Sequence, residues 1–260
     1  MVEIENFQRK VAYRSSGQPI SILMPVCQEA EGIESVVAEL VEVVYRYLPE
    51  GSEFLIEEGG STDGTKEILQ ELTQRWPFIQ VNYSDRKEGF AAAARKLYQR
   101  ANCPLVFFTD SDGQCVASEF WRLMNAINDY DMVLGRKRVR HDPLTRRVTS
   151  RVFNMIARFL FGLQYHDINF GFRLSSRKAI LEVLEDVRIM PTMINSEIAI
   201  IAYSRGFRMK EVIVHHRPRL FGMVQGFTGF FPMEALKAFV GLLRLRKELK
   251  IHPSPELEII

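Results

Sequence analysis

Two aspartates separated by one residue form a candidate metal site in this sequence. Asp110 and Asp112 come directly after the apolar run Leu105–Thr109. Carboxylates placed in this way can converge on one hard divalent cation, Mg²⁺ or Mn²⁺, which keeps several waters and is completed by substrate phosphates. Such a cation would act as a Lewis acid on a departing diphosphate. Two acids at this spacing occur often by chance, so the position after a buried strand is what makes the prediction specific.

A second concentration of charge is basic. Its residues are Arg136, Lys137, Arg138, Arg140, Arg146, Arg147 and Arg151, with only Asp142 against them. One interpretation is a phosphate site, because arginine forks match phosphate oxygens. A solvated basic face is another, and a nucleic-acid contact is a third, although no aromatic residue lies between the arginines. If the segment is helical, Arg146 and Ser150 share one face because they are four residues apart.

The first half of the chain alternates short apolar runs with amphipathic stretches, which is typical of βαβ units in a mostly parallel sheet. The predicted strands are Ile20–Val26, Phe54–Glu57, Ile79–Tyr83, Leu105–Thr109 and Met132–Gly135, and the predicted helices are Glu31–Tyr47, Lys66–Arg75, Phe90–Ala101 and Trp121–Asn128. Ligands of such a sheet bind outside the carboxyl ends of its strands. We therefore expect Asp110, Arg136 and the segments 25–29 and 57–63 at one edge of the sheet.

The second half has a less regular pattern. We predict a basic loop over 136–151, a helix over 152–161, a short strand or turn over 167–174, a helix over 196–205 and a last strand over 212–214. Ser61 or Thr62 is expected to cap the helix that begins at Lys66. Glu197 is interpreted either as a capping or helix-surface acid or as a catalytic carboxylate.

The composition restricts the class of protein. The chain has 260 residues and is 47% hydrophobic, which is enough to bury a full core. A net charge of +2 does not favour nucleic-acid binding. Cys27, Cys103 and Cys115 have no paired spacing, which favours neither a disulfide framework nor a zinc site and is typical of a reducing compartment. Without an apolar run of about 18–20 residues, we expect a cytoplasmic protein that is soluble or lies on the inner face of a membrane.

The segment 230–260 is predicted to be an amphipathic helix and tail appended to a catalytic domain of residues 1–229. Its apolar residues are Leu236, Phe239, Val240 and Leu243, and its basic residues are Lys237, Arg244 and Lys247. Such a helix packs on the domain or on a second copy of the chain, or it lies at a membrane interface that attracts its basic side chains. These three arrangements remain open.

Seven segments resemble, in chain order, the motifs of family 2 glycosyltransferases of the GT-A fold, in particular the polyprenyl-phosphate sugar transferases that use dolichyl or undecaprenyl phosphate. The segments are Ile22–Gly32 (ILMPVCQEAEG), Ser61–Thr65 (STDGT), Asp110–Gln114 (DSDGQ), Gly135–Arg136, Arg146–Ser150, Asp167–Arg173 (DINFGFR) and His215–Arg219 (HHRPR). The match runs from about Ile20 to about Gly222. One such motif would be weak evidence, whereas seven in the family's order are specific.

The resemblance implies a role for each matching residue. The residues implied to bind the nucleotide sugar are Pro25, Cys27, Glu29, Glu58, Asp110, Arg217 and Arg219, the last two on a loop that closes over the diphosphate. The implied ligands of Mg²⁺ or Mn²⁺ are Asp110, Asp112 and the side-chain oxygen of Gln114. The implied acceptor-phosphate site is Arg136, Arg146 and Ser150, and the implied catalytic residues are Asp112 and Arg136.

The implied reaction is attack of a polyprenyl phosphate on the anomeric carbon of a hexose, with inversion. A phosphate oxygen is anionic at neutral pH, so the reaction needs no general base, but it needs cationic groups for two phosphates at once. One alternative is the same fold acting on a saccharide or soluble acceptor, with a carboxylate such as Glu197 as base. Another, from a different class, is a non-catalytic nucleotide-sugar-binding protein. Because a polyprenyl acceptor lies in a bilayer, we favour peripheral membrane contact of the segment 230–260.

Two positions at the nucleotide end differ from the family's pattern, and a third difference follows Arg219, where Met223-Val224 comes after Gly222 and the family tends toward Gly-Lys-Ser. The paired aspartates are replaced by Glu57-Glu58-Gly59-Gly60, so Glu58 replaces the first aspartate and Gly59 the second, or the turn is shifted by one residue. Cys27 stands where the family has tyrosine, which removes a stacking surface for the base. These two differences concern the nucleotide end of the site.

Overall fold

The fold is built on one mixed sheet with helices on both faces. The computed structural model describes residues 17–138, 144–219 and 231–249. The strands in these ranges are β1 (Ile20–Val26), β2 (Glu53–Glu58), β3 (Ile79–Tyr83), β4 (Leu105–Phe108), β5 (Met132–Lys137), β6 (Arg173–Ser176) and β7 (Met209–Val214). The helices are α1 (Ile33–Val43), α2 (Thr65–Arg75), α3 (Phe90–Arg100), α4 (Phe120–Met124), α5 (Leu144–Phe161), α6 (Arg177–Leu184), α7 (Ile194–Ser204) and α8 (Phe231–Glu248). The predicted α/β class with a mostly parallel sheet is confirmed.

Strand β1 lies at the centre of the core, between β2 and β4. Ile22 and Met24 pack into one apolar cluster and Leu23 into the other, because successive side chains of a strand point to opposite faces of the sheet. A strand buried on both faces has a nearly continuous apolar sequence, as β1 does. The helices therefore cover the sheet on both sides and leave its edges for binding.

Strand β6 runs against its two neighbours. The strand order is β3-β2-β1-β4-β6-β5-β7, and all neighbouring pairs except those of β6 are parallel. Arg173, the first residue of β6, pairs with Phe108 of β4 and with Leu134 of β5. Because β6 is reversed, it begins at the edge where β4 and β5 end. The loop before β6 thus enters the sheet between the segments that follow β4 and β5.

Helix α5 is longer than the sequence pattern predicts. A basic loop is predicted up to Arg151, whereas the chain is helical from Leu144 onward. The residues after Pro143 include neither glycine nor proline, and arginine has a high helix propensity. The prediction of a loop over 144–151 is wrong, because the run of charges hides the helical period.

Helix α2 begins without the predicted side-chain cap. Its N-cap is Gly64, which has a left-handed backbone conformation, so the prediction of a cap by Ser61 or Thr62 is wrong. The hydroxyl of Ser61 instead accepts a hydrogen bond from the amide of Gln28 at 2.8 Å. The hydroxyl of Thr62 accepts one from the Gln28 side chain at 3.3 Å. Both hydroxyls connect two loops rather than cap a helix.

Helix α8 has one packed face and one exposed face. Leu242 and Leu245 are buried in the apolar cluster that includes the inner face of α5. Arg246 donates to the carbonyl oxygen of Leu160 in α5 at 2.8 Å, while Leu236 and Leu243 are exposed. The ends of the predicted tail, at residue 230 and over 250–260, lie outside the described residues. No helix in the described part of the chain is long and apolar enough to cross a membrane.

Candidate active site

The loops that follow β1 and β2 are bonded to each other. The amide of Glu29 donates to Thr65 Oγ1 at 3.0 Å, and the amide of Thr62 donates to Gln28 Oε1 at 2.6 Å. Together with the bond from Gln28 to Ser61, these contacts explain why hydroxyl residues crowd the segment 61–65. Gln28 has a positive φ of 54°, which a non-glycine residue adopts only when its surroundings hold it there. The predicted nucleotide loop is therefore fixed by the neighbouring loop.

The two glutamates at the end of β2 have different surroundings. Glu57, which pairs in register with the buried Pro25, is fully buried itself. Its carboxylate lies 3.1 Å from Lys96 Nζ and 3.2 Å from an Nη of Arg100, both on α3. A strand places successive side chains on opposite faces, so Glu58 points away from this ion cluster. The carboxylate of Glu57 thus serves the packing of α3, and Glu58 is the one available to a nucleotide loop.

Glu58 and Cys27 form the corner predicted to receive the base. Glu58 is fully buried; its Oε1 accepts the amide of Ser61 at 2.6 Å, and Lys66 Nζ lies 3.7 Å from its Oε2. The Cys27 sulfur is half-buried and lies 3.9 Å from the carbonyl oxygen of Gly59. Desolvation raises the pKa of the Cys27 thiol, so it is neutral at physiological pH. This corner offers one carboxylate and a small thiol in place of an aromatic surface.

The two aspartates after β4 lie close together at the end of the strand. Asp112 Oδ1 accepts the amide of Gln114 at 3.0 Å. The carboxylate of Asp110 lies against Gly171, where an added Cβ would come within 2.6 Å of its carboxyl carbon. Desolvation raises the pKa of the Cys115 thiol, and the negative charges of Asp110 and Asp112 raise it further. Both carboxylates therefore lie within electrostatic reach of the same thiol.

Behind Asp110 lies a buried arginine that the sequence gives no reason to expect in a core. Arg173 is 1% exposed and donates to the carbonyl oxygens of Phe170 (2.7 Å) and Asn195 (2.9 Å). Burial lowers the pKa of its guanidinium, while the negative charges of Asp110 and Asp167 act in the opposite direction. Arg173 thus fixes the loop before β6 and lies within electrostatic reach of Asp110.

The segment after β7 brings two arginines to the same edge. Arg219 donates to Glu29 Oε1 at 2.6 Å, and its other Nη lies 3.8 Å from Asp112 Oδ2. Burial raises the pKa of Glu29 to about 7, although the charge of Arg219 lowers it. Arg217 instead bonds to Glu39 of α1. Arg217 also donates its Nε to the carbonyl oxygen of Gly113, the residue after Asp112. The structure therefore brings both predicted diphosphate-binding arginines to the loop of the carboxylates, and only Arg219 contacts the carboxylate of Asp112.

A cationic cavity of about 550 Å³ opens next to the loop before β6. Its lining residues are Arg136, Lys137, Arg138, Arg147, Arg151, Val152, Asn154, Met155, Arg158, His166 and Asp167. Six of these carry a positive charge at neutral pH and only Asp167 is acidic. Several arginines around one cavity favour an anionic ligand of phosphate type.

The predicted acceptor-phosphate residues have different positions relative to this cavity. Arg136 lines it, with an Nη 3.7 Å from Glu211 Oε2. Ser150 does not line it, but its carbonyl oxygen accepts from Asn154, which does, at 2.8 Å. The side chain of Arg146 lies outside the described part of the chain.

Of the three cavity arginines on α5, two belong to the basic run for which a phosphate site was one interpretation, and Arg158 was not predicted. Arg147, Arg151 and Arg158, with Asn154 between them, are spaced by four, three and four residues. This spacing places them on one helical face, and it would have identified the cavity wall once the segment was recognised as a helix.

The residues at the end of β4 fit a divalent cation in part. Among the described residues, no group of three or more His, Cys, Asp or Glu side chains is placed to hold a metal ion. Asp110 and Asp112 supply two neighbouring carboxylates, and Gln114 adds an amide oxygen by its type. One or two carboxylates completed by water and substrate phosphates are the usual protein contribution to a Mg²⁺ site. The donor set therefore suits a cation that binds together with a diphosphate.

Glu197 lies in α7, and its carboxylate is bonded to the backbone of the preceding turn. It is 1% exposed, so the interpretation as a helix-surface acid is wrong. Its carboxylate accepts the backbone amides of Arg188, Ile189 and Met190 at 2.7–2.8 Å. A buried carboxylate bonded to three backbone amides holds the turn before α7 in place.

We expect Glu197→Gln to lower the free energy of unfolding by about 1–3 kcal/mol, because the amide nitrogen of glutamine cannot accept the bonds that the carboxylate accepts. Urea denaturation measures the effect. The matched control is Glu248→Gln, which removes an exposed ion pair with Arg188 and should change stability by less than about 1 kcal/mol. Equal stability of the two variants would contradict this assignment.

Comparison with known proteins agrees with the geometry. Residues 21–184 match the family model described as glycosyl transferase family 2. The chain is 27% identical to the glycosyltransferase AglD of Haloferax volcanii, over 82% of this chain and 35% of the relative. It is 28% identical to polyprenol monophosphomannose synthase of Mycolicibacterium smegmatis, over 63% of each chain. The solved glucosyl-3-phosphoglycerate synthase from Mycobacterium tuberculosis, in complex with Mn²⁺, uridine diphosphate and phosphoglyceric acid, has a TM-score of 0.69 at 17% identity, over 92% of this chain and 82% of that one.

The chain spans between about a third and just under two thirds of the length of these curated relatives. The family match nevertheless covers more than half of this chain, including the loops after β1 and β2 and the carboxylate pair after β4. The fold is shared with solved GT-A structures. The chain belongs to glycosyl transferase family 2.

Proposed function

We propose that this chain transfers a hexose from a nucleotide diphosphate sugar to a polyprenyl phosphate, with inversion and with a divalent cation. The observation that supports this most directly is the cationic cavity, which is joined by the loop 167–171 to the position of Asp110. A reaction between two phosphate-bearing substrates requires a positively charged site for each phosphate group. Here one would be a divalent cation held by the carboxylates, and the other would be the arginines of the cavity.

The two sites are adjacent along one short loop. Asp167 lines the cavity, and Gly171, four residues later, lies against the carboxylate of Asp110. Arg173 connects them electrostatically, because the charges of both Asp110 and Asp167 act on its guanidinium. An acceptor phosphate bound in the cavity would therefore lie near a donor bound at Asp110 and Asp112.

The proposed donor site uses the loops after β1, β2 and β7. Glu58 and Cys27 would face the base, and Pro25 and Glu29 would shape the wall of the nucleotide site. Arg219 would move from Glu29 towards the donor diphosphate, since it is a cation already placed beside Asp112. Arg217, which is bonded to Glu39 and to the carbonyl oxygen of Gly113 beside Asp112, would supply a second cation at the same place.

A cation held by Asp110 and Asp112, with Gln114 beside them, would supply Lewis-acid stabilisation of the leaving diphosphate. The chain's own residues have a different task at the other phosphate. Arg136, Arg147 and Arg151 would bind and orient the acceptor phosphate, one oxygen of which attacks the anomeric carbon. The bond from that carbon to the donor diphosphate breaks, and the nucleoside diphosphate leaves with the electron pair. Since the attacking oxygen is anionic, no side chain needs to remove a proton.

The relatives support the choice of acceptor. One curated relative is by name a polyprenol monophosphomannose synthase. The apolar side chains of Val152 and Met155 in the cavity wall suit an acceptor whose phosphate is attached to a hydrocarbon. The solved neighbour that contains Mn²⁺ and uridine diphosphate supports the choice of cofactor and of donor class.

A second candidate is transfer to a small phosphorylated acid. Solved neighbours of similar fold are glucosyl-3-phosphoglycerate synthases, and two of these structures contain phosphoglyceric acid. A cavity lined by six cations would accept such a phosphorylated carboxylate as well as a lipid phosphate. The two candidates differ in the apolar part of the acceptor, so a comparison of acceptors separates them.

The test is a transfer assay with UDP-, GDP- and dTDP-hexoses as donors and Mn²⁺. A short-chain polyprenyl phosphate and 3-phosphoglycerate serve as acceptors. We expect transfer to the prenyl phosphate. For Arg147→Gln/Arg151→Gln we expect the KM for that acceptor to rise about 10–100-fold, because two charge-assisted contacts to phosphate are lost. The metal-dependent hydrolysis of the donor should change little.

The matched control is Arg244→Gln, which removes an exposed arginine of α8 that does not line the cavity. It should leave both rates unchanged. Transfer to 3-phosphoglycerate but not to the prenyl phosphate would reject the leading candidate in favour of the second. An equal acceptor KM for the double variant and for wild type would show that the cavity does not bind the acceptor phosphate.

A further inference from the structure

Helix α5 exposes a stripe of large apolar side chains to solvent. The stripe consists of Val148, Val152, Met155 and Phe159, which are 49%, 43%, 55% and 75% exposed. Their spacing of four, three and four residues places them on one face of the helix. The opposite face is ordinary core, because Phe153 and Ala157 are buried in the main apolar cluster. The stripe is therefore surplus to the packing of this domain.

The charges next to the stripe have a single sign. Helix α5 contains four arginines and no acidic residue. Three of these, Arg147, Arg151 and Arg158, line the cationic cavity. An exposed apolar face flanked only by arginines is the pattern of helices that lie in the interface of an anionic bilayer.

The stripe and the cavity are continuous. Val152 and Met155 belong to the exposed stripe and also line the cavity. A ligand with a phosphate head and a hydrocarbon tail would thus meet arginines and apolar side chains on the same helix. The exposed Leu236 and Leu243 of α8, which packs against α5, add apolar surface nearby.

We propose that α5 docks on an anionic lipid bilayer, with the stripe at the boundary between headgroups and acyl chains and the cavity facing the lipid headgroups. The membrane contact is thus assigned to residues 148–159 of the domain itself and not to the segment 230–260 alone. The proposal rests on the proposed function in one respect, namely that the acceptor phosphate enters the cavity from the bilayer.

A second copy of the chain is a less suitable occupant. In a two-fold dimer the same patch meets itself, so the arginines of α5 would face the arginines of the partner's α5. Like charges brought together at a desolvated interface oppose association. An anionic bilayer neutralises the same arginines, so charge complementarity favours the lipid surface.

The experiment is sedimentation of the full chain with vesicles of phosphatidylcholine, with and without phosphatidylglycerol. Val148→Gln/Phe159→Gln removes two side chains of the stripe that do not line the cavity. We expect its partition into anionic vesicles to fall about tenfold, because the apolar area available for insertion is lost. The control is Ile213→Gln, which changes a side chain of β7 that is 50% exposed and should leave partition unchanged.

Membrane docking and acceptor chemistry are separated by a second assay. With a short-chain, water-soluble prenyl phosphate, the stripe variant should transfer sugar at the wild-type rate, whereas with a long-chain acceptor in vesicles its rate should fall. If the stripe variant loses vesicle binding but the wild-type chain transfers sugar to neither acceptor, the docking proposal is supported and the proposed function is rejected. Unchanged vesicle binding of the stripe variant, or equal binding of wild type to neutral and anionic vesicles, would overturn the docking proposal. A loss of self-association in place of vesicle binding would assign the stripe to a dimer interface and overturn it as well.

Discussion

Replacing Asp112 by asparagine is expected to lower the metal-dependent turnover of a nucleotide sugar by about 100–1,000-fold. The substitution removes one of two carboxylate charges at the end of β4, so the cation that compensates the diphosphate is bound less well. It is nearly isosteric, and the amide of Gln114 can still be accepted by the remaining oxygen. Release of nucleoside diphosphate with Mn²⁺ measures the rate, and Mn²⁺ binding followed by electron paramagnetic resonance measures the site independently of activity.

The matched control for this variant is Asp186→Asn. Asp186 forms an exposed ion pair with Arg205 and is far along the chain from β4, so the substitution should change neither rate nor metal binding. A wild-type rate for Asp112→Asn would exclude the carboxylate pair as the metal site. If the wild-type chain binds nucleotide sugars but neither hydrolyses nor transfers them with any cation, the non-catalytic binding protein becomes the correct interpretation.

The second large effect is expected from Gly171→Ala, which adds one carbon atom. That carbon would come within 2.6 Å of the carboxyl carbon of Asp110. The loop cannot easily move, because Arg173 binds the carbonyl oxygen of Phe170 from inside the core. We therefore expect Asp110 to be displaced, Mn²⁺ affinity to fall at least tenfold, and the free energy of unfolding to fall by about 1–3 kcal/mol.

Gly89→Ala is the control for the added methyl group. An added Cβ at Gly89 meets nothing within 4 Å, and its backbone φ of −76° suits alanine. Its stability should change by no more than about 1 kcal/mol, with Mn²⁺ binding intact. If Gly171→Ala binds Mn²⁺ as well as wild type does, metal binding does not depend on the observed position of the Asp110 carboxylate.

The donor half of the site can be predicted from the sequence because it depends on local pattern. Apolar runs identify β1, β2 and β4, and the rule that ligands bind at the carboxyl ends of parallel strands then brings Glu29, Glu58 and Asp110 to one edge. The role of Ser61 and Thr65 is not predictable in the same way. Their hydroxyls bond to amides more than thirty residues away, which no local pattern indicates.

The acceptor half depends on tertiary structure and was only partly predicted. Arg136, Arg147 and Arg151 were identified as basic residues that suit a phosphate, but the helix that aligns the last two with Arg158 was missed because the run of charges hides the helical period. The reversal of β6 is also invisible in its short sequence, although it brings the preceding loop to the site. Arginine and glutamate are residue types that are usually exposed, so the sequence does not predict that Arg173 and Glu197 are buried. Only their hydrogen-bond partners, carbonyl oxygens for Arg173 and backbone amides for Glu197, explain their burial.

The reversed strand also limits how this protein could be redesigned. One short loop runs from Asp167 in the cavity wall to Gly171, which lies against the carboxylate of Asp110. Its end is held in place by the hydrogen bond from Arg173 to the carbonyl oxygen of Phe170. A change in its length or shape would alter both proposed substrate sites together. If the proposed function is correct, selectivity for the acceptor and affinity for the metal are therefore not independent variables in this fold. Directed evolution of acceptor choice should therefore vary the cavity-lining residues of α5, because these do not belong to the loop that contacts Asp110.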